Sequence, residues 1–365
     1  MRFLVICFGP LDNINGGSSY YARDYIEALS EFYNVDFIQV IPKGLNTNIG
    51  NNNIFLKQKG PFALIEANIK LMLYYLKYIR KIQYNYIFIH TSFFFVYAFF
   101  LRILGIRIVY DTNTIDFEQA RMLHGIKKLY YSIFGFITDI ISYISARIIT
   151  FVSIRDRDIF FKYFRKKACF IVPVHINEEY IKPRQYMDKS MLRKEMNIPD
   201  RFTCLFVGSY KNIQNKLAID FLVDKVVDKV KDVNFIFLGS DIPCKINNII
   251  CPGYVHEIDD YFYASDLLVN PVLAGSGIKT KNLDALFHGI PVLTTYVGAQ
   301  GIEDLIEKGI YICDLDKFTE KICDIKNNID YYMQNINNNI LNNYGIYNFR
   351  ISVKKMLDYM NSIKY

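Results

Sequence analysis

Between Asn270 and Ile302 the chain reads NPVLAGSGIKTKNLDALFHGIPVLTTYVGAQGI, and few stretches restrict a fold more. An apolar run (Leu267, Leu268, Val269) ends at Pro271, and Gly275-Ser276-Gly277 follows within a few residues. Leu283, Ala285, Leu286 and Phe287 then recur with helical spacing until Gly289, and Pro291 opens a second strand over Val292 to Thr295 that runs into Gly298 and Gly301. A strand, a glycine loop, a helix and a strand make one unit of a parallel α/β sheet. Glycine at the loop lets the backbone approach a ligand closely. The helix start behind it presents unpaired N–H groups and the positive end of a dipole, which favour an anion. Lys279 and Lys281 oppose that dipole in an isolated helix, but they suit a bound diphosphate. Asp284 lies one turn further in, within reach of a ribose hydroxyl.

A Gly-x-Gly after a strand is common among α/β proteins and is not specific alone. The longer pattern here, G-S-G-I-K-x-K-x-L-[DE]-A-L-x-x-G-I-P-V-L-x-T, resembles the donor-sugar segment of glycosyltransferase family 4. Those are retaining, nucleotide-sugar-dependent enzymes of the GT-B fold. The resemblance implies that Gly275, Ser276, Gly277, Lys279, Lys281 and Asp284 hold the donor, with Lys279 and Asp284 serving the chemistry. Many relatives flank the loop with two glutamates. Here only the second position is acidic, as Asp284, and Ala274 stands near the first.

The chain order supports two such domains. Strand Phe3–Phe8 leads into a loop with Gly16 and Gly17 and then a helix from about Ser18 to Phe32, with Tyr21, Ile26 and Leu29 on its inner side. In the family, paired glycines here fold over the donor phosphates. Residues 44–53 are rich in Asn and Gly and read as a loop. His90, Asp111 and Asn113 fall at strand ends, where open α/β sheets gather ligands. His90 reads more readily as a satisfied core histidine. Asp111 to Glu118 resembles a D-x-H-N-x-E segment, with Asn113 where relatives have histidine, so Asn113 could hydrogen-bond but not transfer a proton. Strand Phe202–Val207 opens the second half and leads to Gly208, Ser209, Lys211 and Asn215, a variant of the family's diphosphate-binding segment. Gly253-Tyr254-Val255 corresponds to the turn beside the nucleobase, which places Val255 there. The expected architecture is α/β, a GT-B arrangement of two doubly wound Rossmann-like domains facing across a cleft. The acceptor-side domain spans residues 1–171 with a returning helix at 349–365, and the donor domain spans 172–348.

Seven cysteines, an odd number set mostly in apolar strands, argue for reduced thiols and a cytoplasmic protein. The opening apolar run is too short for a signal peptide. Residues 121–170 carry ten Lys and Arg against three Asp, as large an excess as the +7 of the whole chain. These cations, Arg165, Lys166 and Lys167 among them, are interleaved with Tyr130, Tyr131, Phe134, Phe136, Phe160, Phe161 and Phe164. The mixture suits either a packed core with a solvated rim or a peripheral contact with an anionic membrane at its inner face. No helix-turn-helix or stacking motif accompanies the charge, which argues against nucleic acid. No Asp-x-Asp loop with metal-binding context occurs, and Asp259-Asp260 reads as a helix start, so neither a metal nor a further cofactor is expected. The expected activity is sugar transfer from a UDP- or GDP-sugar to a glycan or lipid-linked acceptor, in cell-surface polysaccharide or glycolipid synthesis. Two alternatives stay open: an inactive GT-B-like binding subunit supporting a partner transferase, and a sugar-nucleotide epimerase of the same fold.

Overall fold

Strand β1 (Arg2–Phe8) carries five consecutive buried residues, as a parallel strand covered on both faces must. The computed structural model describes residues 1–11, 17–48, 52–112, 115–119, 125–174, 188–243, 249–255, 257–273, 277–343 and 349–363. The chain divides into two compact units, the first formed by Met1–His175 with Tyr347–Tyr365.

In the first unit β1 is followed by α1 (Gly17–Ser30), β2 (Asn34–Ile41), β3 (Asn53–Phe55), α2 (Pro61–Lys77), β4 (Tyr86–Ile89) and α3 (Phe95–Ile103). Then come β5 (Ile108–Thr112), α4 (Asp116–Gln119), α5 (Gly125–Ser145), β6 (Ile148–Phe151), α6 (Ile154–Phe160) and β7 (Cys169–Ile171). The sheet order is β3-β2-β1-β4-β5-β6-β7, with every pairing parallel. Ala67, Leu71, Tyr97 and Leu101 of α2 and α3 close one core against Leu4, Ile6, Ile87 and Ile89. Phe151, Phe160 and Phe164 form a neighbouring one. Tyr21, Ile26 and Leu29 of α1 are buried as their spacing predicts.

The second unit, Ile176–Ile346, holds α7 (Lys189–Glu195), β8 (Phe202–Val207), α8 (Ile213–Lys225), β9 (Val233–Leu238), β10 (Ile249–Gly253), α9 (Asp259–Tyr263) and β11 (Leu267–Asn270). It continues through α10 (Thr280–Phe287), β12 (Val292–Thr294), β13 (Ile310–Ile312), α11 (Phe318–Asn327) and α12 (Ile329–Asn343). Its sheet runs β10-β9-β8-β11-β12-β13, again all parallel. A final helix, α13 (Phe349–Ser362), belongs to the first unit, where Phe349 meets the rings of Tyr21 and Tyr25 edge-on at 5.6 and 5.5 Å.

In each sheet the chain works outward one way and then the other. Strand order therefore reverses between β1 and β4 in the first unit and between β8 and β11 in the second. Loops at the carboxyl ends of the strands flanking such a point splay apart, leaving room for a ligand.

Three expectations need correction. The Asn-rich loop ends in a paired edge strand: Asn53 through Phe55 lie in register with Gln39 through Ile41, and Gln39 Nε2 donates to Asn53 Oδ1 at 3.0 Å. The first helix begins at Gly17 and ends at Ser30, two residues short of Phe32. The thiols are not all reduced. Cys7, Cys169, Cys204, Cys313 and Cys323 are free, but Cys251 is disulfide-bonded, with its partner outside the described residues.

Candidate functional site

The reversal point of the second unit gathers most of the described donor-site candidates. At the end of β8, Gly208 adopts φ +153°, and a Cβ there would lie 2.5 Å from the Asn215 amide nitrogen. Its neighbour Gly239 has no room either, since a Cβ would sit 2.2 Å from the Gly208 carbonyl oxygen. Only glycine fits at both places, so the two strand ends run close together. Asn212 caps α8 by accepting from the Gln214 N–H at 2.9 Å, which sets Asn215 facing back over the loop. Asn215 Nδ2 donates to the Ser209 carbonyl at 3.1 Å, and its Oδ1 accepts from Lys281 Nζ at 2.9 Å. Residues 66 positions apart thus meet across the reversal point.

Lys281 also rests on the Phe206 ring, with Nζ 4.4 Å from the centroid. Burial and the nearby Lys279 charge push its pKa down to about 7, Asp284 opposing. Lys279 is buried and donates to the Gly277 carbonyl at 2.9 Å. Lys279, the N-cap residue of α10, makes no side-chain cap hydrogen bond to the N–H groups at the helix start. Burial and the neighbouring Asp259 raise the Asp284 carboxyl to about 7, with Lys281 pulling the other way. Behind it, His288 Nδ1 lies 2.6 Å from the Asp284 carbonyl oxygen and Nε2 lies 3.2 Å from Asp259 Oδ1.

A buried amide pair holds this loop system to the sheet. Asn270 Nδ2, at the end of β11, donates to Asn282 Oδ1 at 2.8 Å, and Asn282 Nδ2 donates to the Gly298 carbonyl at 3.0 Å. Thr294 Oγ1 donates to the Asn270 carbonyl at 2.6 Å. Sequence reading missed Phe206, Asn270 and Asn282. An Asn beside Leu283 on the apolar side of a helix was the available signal, because a buried amide must find partners.

Other candidates lie elsewhere. Lys211 is 78% exposed and pairs with Asp241 at 3.1 Å. Val255 is half-buried just after β10, whose Gly253 carbonyl accepts from the Gly239 N–H at 3.0 Å. Gly17 is the first residue of α1, beside the reversal point of the first unit. Gly16, Asn113, Gly275 and Ser276 lie outside the described residues, as does Ala274. At that first reversal point, His90 Nδ1 lies 2.7 Å from Asp111 Oδ2 with both side chains buried, and Thr150 and Tyr21 hydroxyls donate to the same carboxylate. His90 is thus built into a core network. Among the described residues no group of three or more His, Cys, Asp or Glu is placed to hold a metal ion.

Two all-parallel α/β units of this order define the GT-B fold, and solved structures agree along the whole chain. It is similar to sucrose-phosphate synthase from Thermosynechococcus elongatus, with TM-score 0.78, 14% identity and 100% of both chains covered. It is also similar to Anabaena HepE in complex with UDP (0.72, 12%, 100% of both chains). A third likeness is to WaaG, a glycosyltransferase involved in lipopolysaccharide biosynthesis (0.70, 13%, 99% of this chain and 100% of that one). At these identities the likeness is one of fold. Residues 201–328, which include Gly208, Asn215, Lys281 and Asp284, match the family model for Glycosyl transferases group 1. Residues 201–328, inside the second unit, thus carry a group 1 glycosyltransferase domain on a chain of GT-B fold. No curated protein sequence matches it.

Proposed function

We propose that this glycosyltransferase is retaining and metal-independent, moving a sugar from a UDP- or GDP-sugar to a glycan or lipid-linked acceptor in cell-surface polysaccharide or glycolipid synthesis. The observation that carries the reading is Lys281, held between Phe206 and Asn215 at the second reversal point with a pKa near neutrality. A diphosphate settling there meets the N–H groups at the start of α10 and gives Lys281 a reason to take up a proton. As the sugar–phosphate bond breaks, negative charge grows on the leaving diphosphate. The N–H groups, Lys281 and Lys279 stabilise it where other transferases use a metal ion. Asp284 accepts from a ribose hydroxyl. With no nucleophile in the sequence pattern, departure and attack occur on one face of the sugar, as the family resemblance implies. UDP is the favoured nucleotide, because HepE was solved in complex with UDP and with UDP-glucose.

The test is incubation with a panel of UDP- and GDP-sugars in excess chelator, following slow donor hydrolysis and the anomer released. One donor should be hydrolysed with retained configuration. Loss of turnover that magnesium or manganese restores would contradict metal independence. Tight nucleotide binding without turnover would favour the inactive subunit, and isomerised donor would favour the epimerase.

A further inference from the structure

Helices α2, α3, α5 and α6 follow strands that step the same way along the first sheet, from β3 through β4, β5, β6 and β7. Right-handed crossovers in one direction put their helices on one face. There α3 packs against both α2 and α5. The inner sides of this layer form the cores already described. Its outer side is apolar too. On α2, Phe62, Ile65, Ile69, Leu73 and Leu76 follow one another at helical spacing and are 44–69% exposed. Val96, Phe99 and Ile103 continue the face on α3, and Leu129, Tyr130, Ile133 and Ile137 on α5. Contiguous apolar faces of this extent are unusual on a soluble monomer and mark a contact surface. In the second unit the exposed apolar residues, such as Met191, Ile213 and Tyr296, are scattered over separate elements.

The charges around the face say what covers it. Helices α2, α3 and α5, which carry the face, offer almost no exposed anion: Glu66 of α2 is paired with Lys70 at 2.7 Å, α3 has no acidic residue, and Asp139 of α5 is buried. Exposed cations are plentiful, among them Lys59, Lys77, Arg80, Lys81, Arg102 and Lys128. A second copy of the chain would bring the same cations against these. A bilayer of anionic phospholipid instead supplies acyl chains for the apolar side chains and phosphates for the cations. We propose that this face lies in the headgroup–acyl boundary of an anionic membrane, with α2, α3 and α5 in the plane of the surface. No described helix is long and apolar enough to cross it. Two apolar grooves open on the same face, one of about 610 Å³ along Phe62, Ile65, Ile69 and Leu73, the other of about 550 Å³ between Ile133, Ile137 and Tyr163.

The contact overlaps the basic-aromatic stretch of the sequence only through α5. Phe160 and Phe164 belong to the core, and Lys167 turns inward to the carbonyls of Tyr143 and Ala146 at 2.6 and 2.7 Å. Helices α2 and α3, which carry little of the chain's charge excess, supply much of the apolar area.

The chain contains no tryptophan, so a single one reports on its own surroundings. Ile69→Trp and Ile133→Trp should each shift to the blue when the full chain meets vesicles of phosphatidylcholine with about 30% phosphatidylglycerol. A control, Met191→Trp in the second unit, should not shift. Ile65→Asn with Ile69→Asn and Leu73→Asn should lower vesicle affinity by roughly tenfold or more while leaving UDP-glucose affinity unchanged. Raising salt from about 0.1 M to about 0.5 M should weaken binding without abolishing it, because screening acts on the cations and not on the inserted side chains. No blue shift at either reporter overturns the proposal, as does equal binding to vesicles of phosphatidylcholine alone. So does a dimer in solution that the triple variant converts to monomer, since a second copy would then own the face. Vesicle binding is read without turnover, so this inference and the catalytic one fail separately.

Discussion

Lys281 shows how far a single residue can be read from sequence. Its place just inside a helix behind a glycine loop marks it as a phosphate partner. Its lean onto Phe206 and Asn215 depends on two strands meeting across the reversal point, which local spacing does not encode. The consequence is a lysine with a pKa of about 7 instead of the usual value above 10. Since the diphosphate of UDP-glucose has no proton that titrates near neutrality, its affinity should rise as pH falls through about 7, tracking protonation of Lys281. Lys281→Met should weaken binding by roughly tenfold to a hundredfold and flatten that dependence. Calorimetry from roughly pH 5.5 to pH 8.5, about one and a half units either side of the lysine, measures both. A wild-type affinity that ignores pH over that range would take Lys281 out of the diphosphate site.

At the scale of elements, strands and helices with one-sided patterns were legible, and the exceptions have physical reasons. Strand β1 announces itself as an unbroken apolar run, and α1 by the spacing of Tyr21, Ile26 and Leu29. Strand β3 does not, because three residues after an Asn-rich loop carry no period and pair only through position. For α2 and α5 the helix was readable but its orientation was not, since apolar residues on both sides leave the inner face unmarked. Contact with α4 settles α5. Asp139 accepts from the N–H groups of Asp116 and Phe117 at 3.0 and 3.4 Å and from the Tyr110 hydroxyl at 3.1 Å. Gly135 lies where an added Cβ would be 2.8 Å from the Asp116 carbonyl carbon and the Phe117 nitrogen. In an open helix Gly→Ala stabilises by ~1 kcal/mol. Here the clash is with backbone, and overpacking costs ~1–3 kcal/mol. Gly135→Ala should therefore lower stability to urea, and an increase would mean that α4 yields easily.

For the whole molecule, charge burial shapes how stability responds to pH. Burial raises Asp24 and Asp284 to about 7 and raises Asp116 and Asp139 as well. An acid raised in the folded state adds stability below its unfolded pKa, and that contribution is lost as pH climbs through the folded value. Asp24 and Asp284 therefore weaken the fold between about pH 4 and pH 7, and Asp116 and Asp139 act in the same direction. Lys281 and Lys167, lowered to about 7 and about 8, act in the opposite direction over a higher window. Their contribution is present above the unfolded lysine value and disappears as pH falls through the folded one. Carboxylates lowered by their partners, such as Asp36 beside Arg2 and Tyr84, act mainly below about pH 4. The three sets together put a shallow minimum of stability near neutrality, where many proteins are close to their maximum. Two of the groups responsible, Lys281 and Asp284, stand at the candidate donor site. The melting temperature should then be lower near pH 7 than near pH 5, a difference of order 1–3 kcal/mol in stability. Asp284→Asn should shrink the drop by removing one of the raised acids. UDP-glucose should lift the melting temperature more below pH 7 than above it, because it binds only the folded chain and binds more tightly once Lys281 is protonated. Thermal melts of both proteins across that range, with and without the sugar nucleotide, measure all three. A wild-type profile that peaks at pH 7, unchanged by Asp284→Asn, would mean that solvent reaches these carboxyls and relieves their burial.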